Sequence, residues 1–103
     1  MTAKQDKVFD RVALDVVDGA MQGFNGTVFA YGQTGSGKTF TMVGGQDDFE
    51  DRGIIPRTFD HLFMEMSKRT TEQISIFASF IQIYNGIGYD LCPEGRDKKF
   101  KNI

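Results

Sequence analysis

Thr27-Val28-Phe29-Ala30-Tyr31-Gly32-Gln33-Thr34-Gly35-Ser36-Gly37-Lys38-Thr39 is the stretch on which the reading of this chain turns. Residues 27–31 are a short apolar run rich in β-branched and aromatic side chains. Such a run suits a strand covered on both faces, as in a parallel sheet. Residues 32–37 cannot continue it, because three glycines in six residues call for unusual backbone angles or close approach by another group. From Lys38 to about Val43 a helix can begin, and Gly44-Gly45 ends it.

Residues 32–39 satisfy G-x-x-x-x-G-K-[ST] at every fixed position. Each residue type has a physical reason. A triphosphate packs several negative charges into a small volume, and successive backbone N–H groups in a glycine-rich turn form a concave nest for its oxygens. A Cβ at Gly35 or Gly37 is expected to hinder that wrap. The helix that follows points its positive end at the phosphates. Lys38 adds a compact cation able to bridge the β- and γ-phosphates. The Thr39 hydroxyl is a hard oxygen ligand suited to Mg2+. The expected ligand is therefore ATP with Mg2+. The bland alternative, a glycine-rich turn with an incidental lysine, leaves the flanking strand and helix unexplained.

Upstream, Val8, Val12, Val16 and Ala20 recur every four residues, with Ala13, Val17 and Met21 beside them. This spacing predicts one helix over residues 5–22, stopped by Gly23. Downstream, residues 46–52 carry four acidic side chains and read as an exposed loop. Pro56 suits the first position of a helix. Phe59, Leu62, Phe63 and Met66 then fall on one helical face, which ends near Lys68 or Arg69 and is core material. Residues 74–84 alternate as a long strand, Asn85-Gly86 marks a hairpin turn, and residues 87–91 return. Residues 93–103 are charged and read as a loop-like, frayed end. The order of elements is α/β: a sheet of the phosphate-binding-loop type flanked by helices.

The length of 103 residues suits one small domain. Apolar content of 40% and charged content of 25% are ordinary for a globular protein. A net charge of −2 gives no sign of a nucleic-acid partner or a membrane surface. One cysteine, Cys92, cannot close an internal disulfide, so a reducing compartment is expected. No apolar run approaches the roughly 20 residues of a membrane span, and residues 1–7 lack the apolar stretch of a signal peptide. The expected location is the cytoplasm.

From Phe24-Asn25-Gly26 through Lys38-Thr39-Phe40-Thr41-Met42 the sequence resembles the nucleotide-binding segment of kinesin motor heads. The likeness extends to Val17-Asp18-Gly19-Ala20, to Arg52-Gly53-Ile54-Ile55-Pro56-Arg57, to Phe80-Ile81-Gln82-Ile83-Tyr84-Asn85 and to Asp90-Leu91. It covers nearly the whole chain but about a third of a motor head. Gln82 and Gly86 stand where that family commonly has acidic residues, with expected effects on local packing or an ion pair. The wording from Asp51 to Thr58 is most similar to kinesins of cilia and flagella. The family's Arg-x-Arg-Pro strand, its Ser-Ser-Arg loop and its Asp-x-Ala-Gly-x-Glu loop do not occur in these residues. The resemblance thus implies residues 1–103 as a partial motor domain, an ATP hydrolase that moves along microtubules and sits on the cytoskeleton. It implies Gly32, Gln33, Thr34, Gly35, Ser36, Gly37, Lys38 and Thr39 around the phosphates, and Thr39 on the metal. Phe40 would stack on adenine; read without the resemblance, Phe40 is a core residue of the new helix. The hydrolytic residues would lie in other segments, so no catalytic residue is assigned.

Other residues read plainly. His61 has no partner nearby in sequence and reads as a surface or packing residue. Cys92 lacks a basic activator or a metal-spaced partner. Lys98, Lys99 and Lys101 read as a solvated cluster. Two rivals of other classes remain. A small nucleotide kinase would need an acceptor site rich in Arg, and Arg11, Arg52, Arg57, Arg69 and Arg96 are scattered. A non-catalytic interaction fragment would compete with an intact motor for its partners. Phosphate transfer to nucleoside monophosphates would reveal the first, and co-sedimentation with microtubules, with and without nucleotide, the second.

Overall fold

A computed structural model of the chain describes residues 4–33, 35–45, 48–91 and 98–99. It divides into two compact units, residues 1–72 and residues 73–103, where the length suggests one domain. The division has a local cause: the second unit closes on itself through a tight hairpin.

The first unit opens with one helical run in three parts, α1 (Gln5–Val8), a π-helical segment (Phe9–Ala13) and α2 (Leu14–Met21). The Leu14 N–H reaches back five residues to the Phe9 carbonyl, which widens the turn. The run ends as its sequence predicts. Gly23 adopts φ +98°, its N–H bonds the Ala20 carbonyl at 3.1 Å, and the Phe24 N–H bonds Gly19 at 2.9 Å. These two bonds are the Schellman closure, and glycine makes the left-handed residue free of cost. The buried stripe differs from the expected one. Phe9, Ala13 and Val17 are buried, whereas Val12 is half exposed. The expected stripe holds in part, since Ala13 and Val17 are buried and Val8 packs against the core, but its centre moves one residue onward because Phe9, Ala13 and Val17 recur at the same interval as the valines.

Residues 27–31 form no ladder among the described residues; Val28 packs against the core, while Phe29 is 81% and Tyr31 93% exposed. A strand exists only through a neighbour's backbone groups, and no described residue supplies one here. The phosphate-loop residues lead into α3 (Lys38–Met42), one turn long. The chain then makes an excursion through a 3-10 turn (Phe49–Asp51) and returns into α4 (Ile54–Lys68). Pro56 occupies the third position of α4 rather than the first, still within the turn whose N–H groups have no intrahelical partner.

The excursion is pinned at its neck. Gly44 and Arg52 form an antiparallel bridge, Gly45 N–H bonds the Asp51 carbonyl at 3.0 Å, and Gly53 N–H bonds Val43 at 3.2 Å. Gly53 must lack a Cβ, which would lie 2.7 Å from the carbonyl oxygens of Thr41 and Met42. Phe9, Ala13 and Ile54 form the centre of the core, with Val8, Leu14, Val28 and Met42 packed against them. Contacts from Phe9 to Ile54, Asp18 to His61 and Met21 to Arg69 mean that α4 runs in the same direction as the first helical run.

In the second unit, β1 (Ile81–Tyr84), β2 (Ile87–Asp90) and β3 (Lys98–Lys99) form an antiparallel sheet in that order. Tyr84 pairs with Ile87 across Asn85-Gly86, both with positive φ (51° and 76°), the pattern of a type I′ turn. Gly86 therefore fits the turn where the family commonly has an acidic residue. The strand is assigned from Ile81 rather than Ile74. Tyr89 and Asp90 pair with Lys99 and Lys98, so the end expected to be loop-like contributes a two-residue strand. Its remainder, with Cys92 and Lys101, lies outside the described residues.

Among the described residues four apolar side chains are buried, Phe9, Ala13, Val17 and Ile54, and of these only the small Ala13 is fully enclosed. A core of this size does not offset the ordering of a chain of about a hundred residues. The isolated 103-residue chain is therefore expected to melt broadly, with near- and far-ultraviolet circular dichroism losing signal at different temperatures. One steep transition seen identically by both would contradict this.

Candidate functional site

Three glycines set the shape of the loop. Gly32 has φ +154°, Gly35 +87° and Gly37 +95°. Each is a conformation that an L side chain rarely adopts. The hindrance expected of a Cβ at Gly35 or Gly37 does not come from the protein, since nothing among the described residues lies within 4 Å of either position. Conformation alone demands glycine there. At Gly32 both reasons apply, as a Cβ would meet Ser36 Oγ at 2.6 Å. The Ser36 N–H bonds the Gln33 carbonyl at 3.1 Å and closes the turn. Thr34 lies outside the described residues.

Gly37 is the left-handed N-cap of α3, and no side chain caps the helix. The first N–H groups of α3 consequently have no intrahelical acceptor. One turn sums few peptide dipoles, so these individual donors matter more than the helix dipole invoked from sequence. Gly35, Gly37, Lys38, Thr39 and Phe40 line a cavity of about 400 Å3. Lys38 Nζ donates to the Gly32 carbonyl and spans the mouth of the loop. Thr39 is exposed, and Phe40 is 47% exposed, so Phe40 is no core residue. A second cavity of about 630 Å3 shares Phe40 in its lining, with Gln5, Phe49, Asp51 and Arg57 among the others.

Arginines tie the excursion to α4. Arg52 pairs with Asp60, donates from Nε to the Phe49 carbonyl at 3.0 Å, and lies 3.6 Å from the centre of the Phe49 ring. Arg57 donates to the carbonyls of Arg52 at 2.8 Å and Glu50 at 2.9 Å. His61, which has no partner nearby in sequence, finds one at a distance along the chain. Its Nε2 lies 2.6 Å from Asp18 Oδ1, and its ring meets Phe9 edge-on. The partner is 43 residues away in sequence, beyond any local pattern. Sequence reading also passed over Gln5, which is buried and donates to the carbonyls of Phe40 at 2.6 Å and Asp51 at 3.1 Å. The available signal was its place four residues before Phe9 on the buried stripe. Among the described residues no group of His, Cys, Asp and Glu could hold a metal ion, and no helix is long and apolar enough to cross a membrane.

A glycine-shaped loop opening into a helix, with Lys and Thr at the helix start, defines an α/β fold of the phosphate-binding-loop class. The comparisons narrow that class. The family model for the kinesin motor domain matches residues 1–103, and the chain belongs to that family. It is 45% identical over 89 residues to Homo sapiens kinesin-like protein KIF9, covering 86% of this chain and 11% of that protein. It is 42% identical over 100 residues to Bos taurus KIF3C, covering 97% of this chain and 13% of that protein. The chain thus spans a small part of these relatives' length. Among solved structures it is similar to Drosophila NOD. A nucleotide-free NOD–microtubule complex gives a TM-score of 0.85 at 33% identity over 98% of this chain and 37% of NOD. NOD with AMPPNP gives 0.81 at 33% over 95% and 35%, and NOD with divalent manganese and ADP gives 0.78 at 35% over 91% and 35%.

Gly37→Ala should cost about 1 kcal/mol in a complete motor head carrying these residues, from backbone strain alone. Gly53→Ala should cost more, because its Cβ meets backbone that cannot step aside. Denaturant melts of the two variants compare them, and equal stability would contradict the geometry.

Proposed function

We propose that this chain is the ATP-binding portion of a microtubule-based motor that couples ATP hydrolysis to movement. The observation that carries the reading is the loop. Gly35 and Gly37 hold left-handed conformations on either side of Ser36, immediately before the N–H groups, uncapped by any side chain among the described residues, of a helix that begins with Lys38 and Thr39. This donor set fits a triphosphate: fixed amides for the oxygens, an ammonium for the accumulated charge, and an exposed hydroxyl for the metal. The cavity lined by these residues has room for the phosphates.

In this reading Gly32, Gln33, Thr34, Gly35, Ser36 and Gly37 wrap the phosphates, and Lys38 balances charge on the β- and γ-groups. Thr39 holds Mg2+, which when bound neutralises charge developing during phosphoryl transfer. Phe40 presents its half-exposed ring to the adenine. That NOD has been solved with AMPPNP, and with ADP and manganese, supports a nucleotide and a divalent metal here. NOD's complex with the microtubule supports the same partner and a place on the cytoskeleton. The likeness from Asp51 to Thr58 favours a cilium or flagellum.

Two outcomes test this. In the full-length protein, Lys38→Ala should lower ATP affinity by on the order of a hundredfold and abolish microtubule-stimulated turnover. Unchanged binding and turnover would overturn the reading. The 103 residues alone should show no microtubule-stimulated hydrolysis, since the family resemblance puts the residues that would orient the attacking water in other segments. A steady-state phosphate-release assay that finds such turnover would place the hydrolytic machinery within this chain instead.

A further inference from the structure

Gln5 is the buried polar side chain among the described residues, 6% exposed, and its amide spans two distant points of the chain. One N–H donates to the Phe40 carbonyl, 35 residues away, at 2.6 Å. The other donates to the Asp51 carbonyl, 46 residues away, at 3.1 Å. Both protons of a primary amide are thereby used, one on α3 and one on the excursion that follows it.

The Phe40 carbonyl needs this donor. In a longer helix the N–H four residues ahead would serve it, but the Gly44 N–H turns to the Thr39 carbonyl at 3.2 Å. Val43 N–H also goes to Thr39, at 2.8 Å. A one-turn helix ending this way leaves the Phe40 backbone without its own ladder, and Gln5 supplies the missing bond. The Phe40 ring hangs from that backbone, and Phe40 lines both the loop cavity and the cavity beside Gln5.

We propose that Gln5 is a positioning residue for base recognition: by holding the Phe40 carbonyl it fixes the ring against which the nucleobase packs. This rests on the nucleotide-binding reading above. Gln5 touches neither base nor phosphate; it acts through Phe40 and through the neck of the excursion. Its loss frees the ring to reorient while the glycines and Lys38 remain as they are, so base affinity falls and phosphate affinity does not.

The test compares two ligands, Mg-ATP and Mg-tripolyphosphate, by calorimetry on the full-length protein. Gln5→Met keeps the volume and removes both donors. It should weaken ATP by about tenfold and leave tripolyphosphate within about twofold. In a Phe40→Ala background the same change should cost nothing further for ATP. Gln5→Lys keeps donors on a flexible stem and should hold ATP within about threefold of the parent. Equal weakening of both ligands would make Gln5 a prop of the fold and overturn the proposal. So would an undiminished effect without Phe40, an unchanged ATP affinity in Gln5→Met, or loss of ATP binding in Gln5→Lys. Lys38→Ala serves as the separate control. If it leaves tripolyphosphate binding intact, the phosphate-loop reading fails, and this proposal with it.

Discussion

A loop whose successive backbone N–H groups wrap one anion needs residues with positive φ, and an L side chain resists that curl by about 1–2 kcal/mol per residue. Gly35 and Gly37 remove the resistance at the two places where it would arise. Much of the first unit follows from this constraint. Gly37 in the left-handed region starts α3 without a side-chain cap and leaves its first donors free for a ligand. Gly44, at φ +98°, stops α3 after one turn and lets the chain fold back on the neck of the excursion. Gly53 then allows the start of α4 to rest against the carbonyls of Thr41 and Met42.

A loop held by so short a helix needs support from outside it. The first helical run provides this along its length. At its start Gln5 binds the carbonyls of Phe40 and Asp51; midway Phe9 and Ala13 pack on Ile54; further on Asp18 meets His61, and Met21 accepts from Arg69 at 3.2 Å. The interactions differ in kind, so each fixes a different freedom. The buried amide sets backbone position, the apolar contacts set separation, and the polar pairs set the axial register of α4.

The parts legible in the sequence were those whose cause lies within a few residues. The glycine conformations of the loop, the Gly23 stop, the end of α4 at Lys68 and the Asn85-Gly86 turn all rest on local backbone chemistry, and all stand where the pattern placed them. The parts that escaped depend on distant groups. The π-helical turn at Phe9–Ala13 carries no sequence signature, and the adjacent valine stripe competes with the buried one. A ladder for residues 27–31 is a matter of neighbours, which composition alone cannot supply. His61 and Gln5 gain their meaning from partners 43 and 35 residues away.

The exposed run at residues 27–31 has one further consequence. It carries no charge and no proline, and it combines a β-branched pair with two aromatic rings, the composition that stacks into fibrils when left open. During synthesis it leaves the ribosome well before residues 81–90 can form their hairpin. Asn25-Gly26 on one side and the glycine loop on the other keep this adhesive run to five residues. Besides shaping a nest for phosphate, the glycines thus act as gatekeepers that shorten the interval of chain able to self-associate before folding is complete.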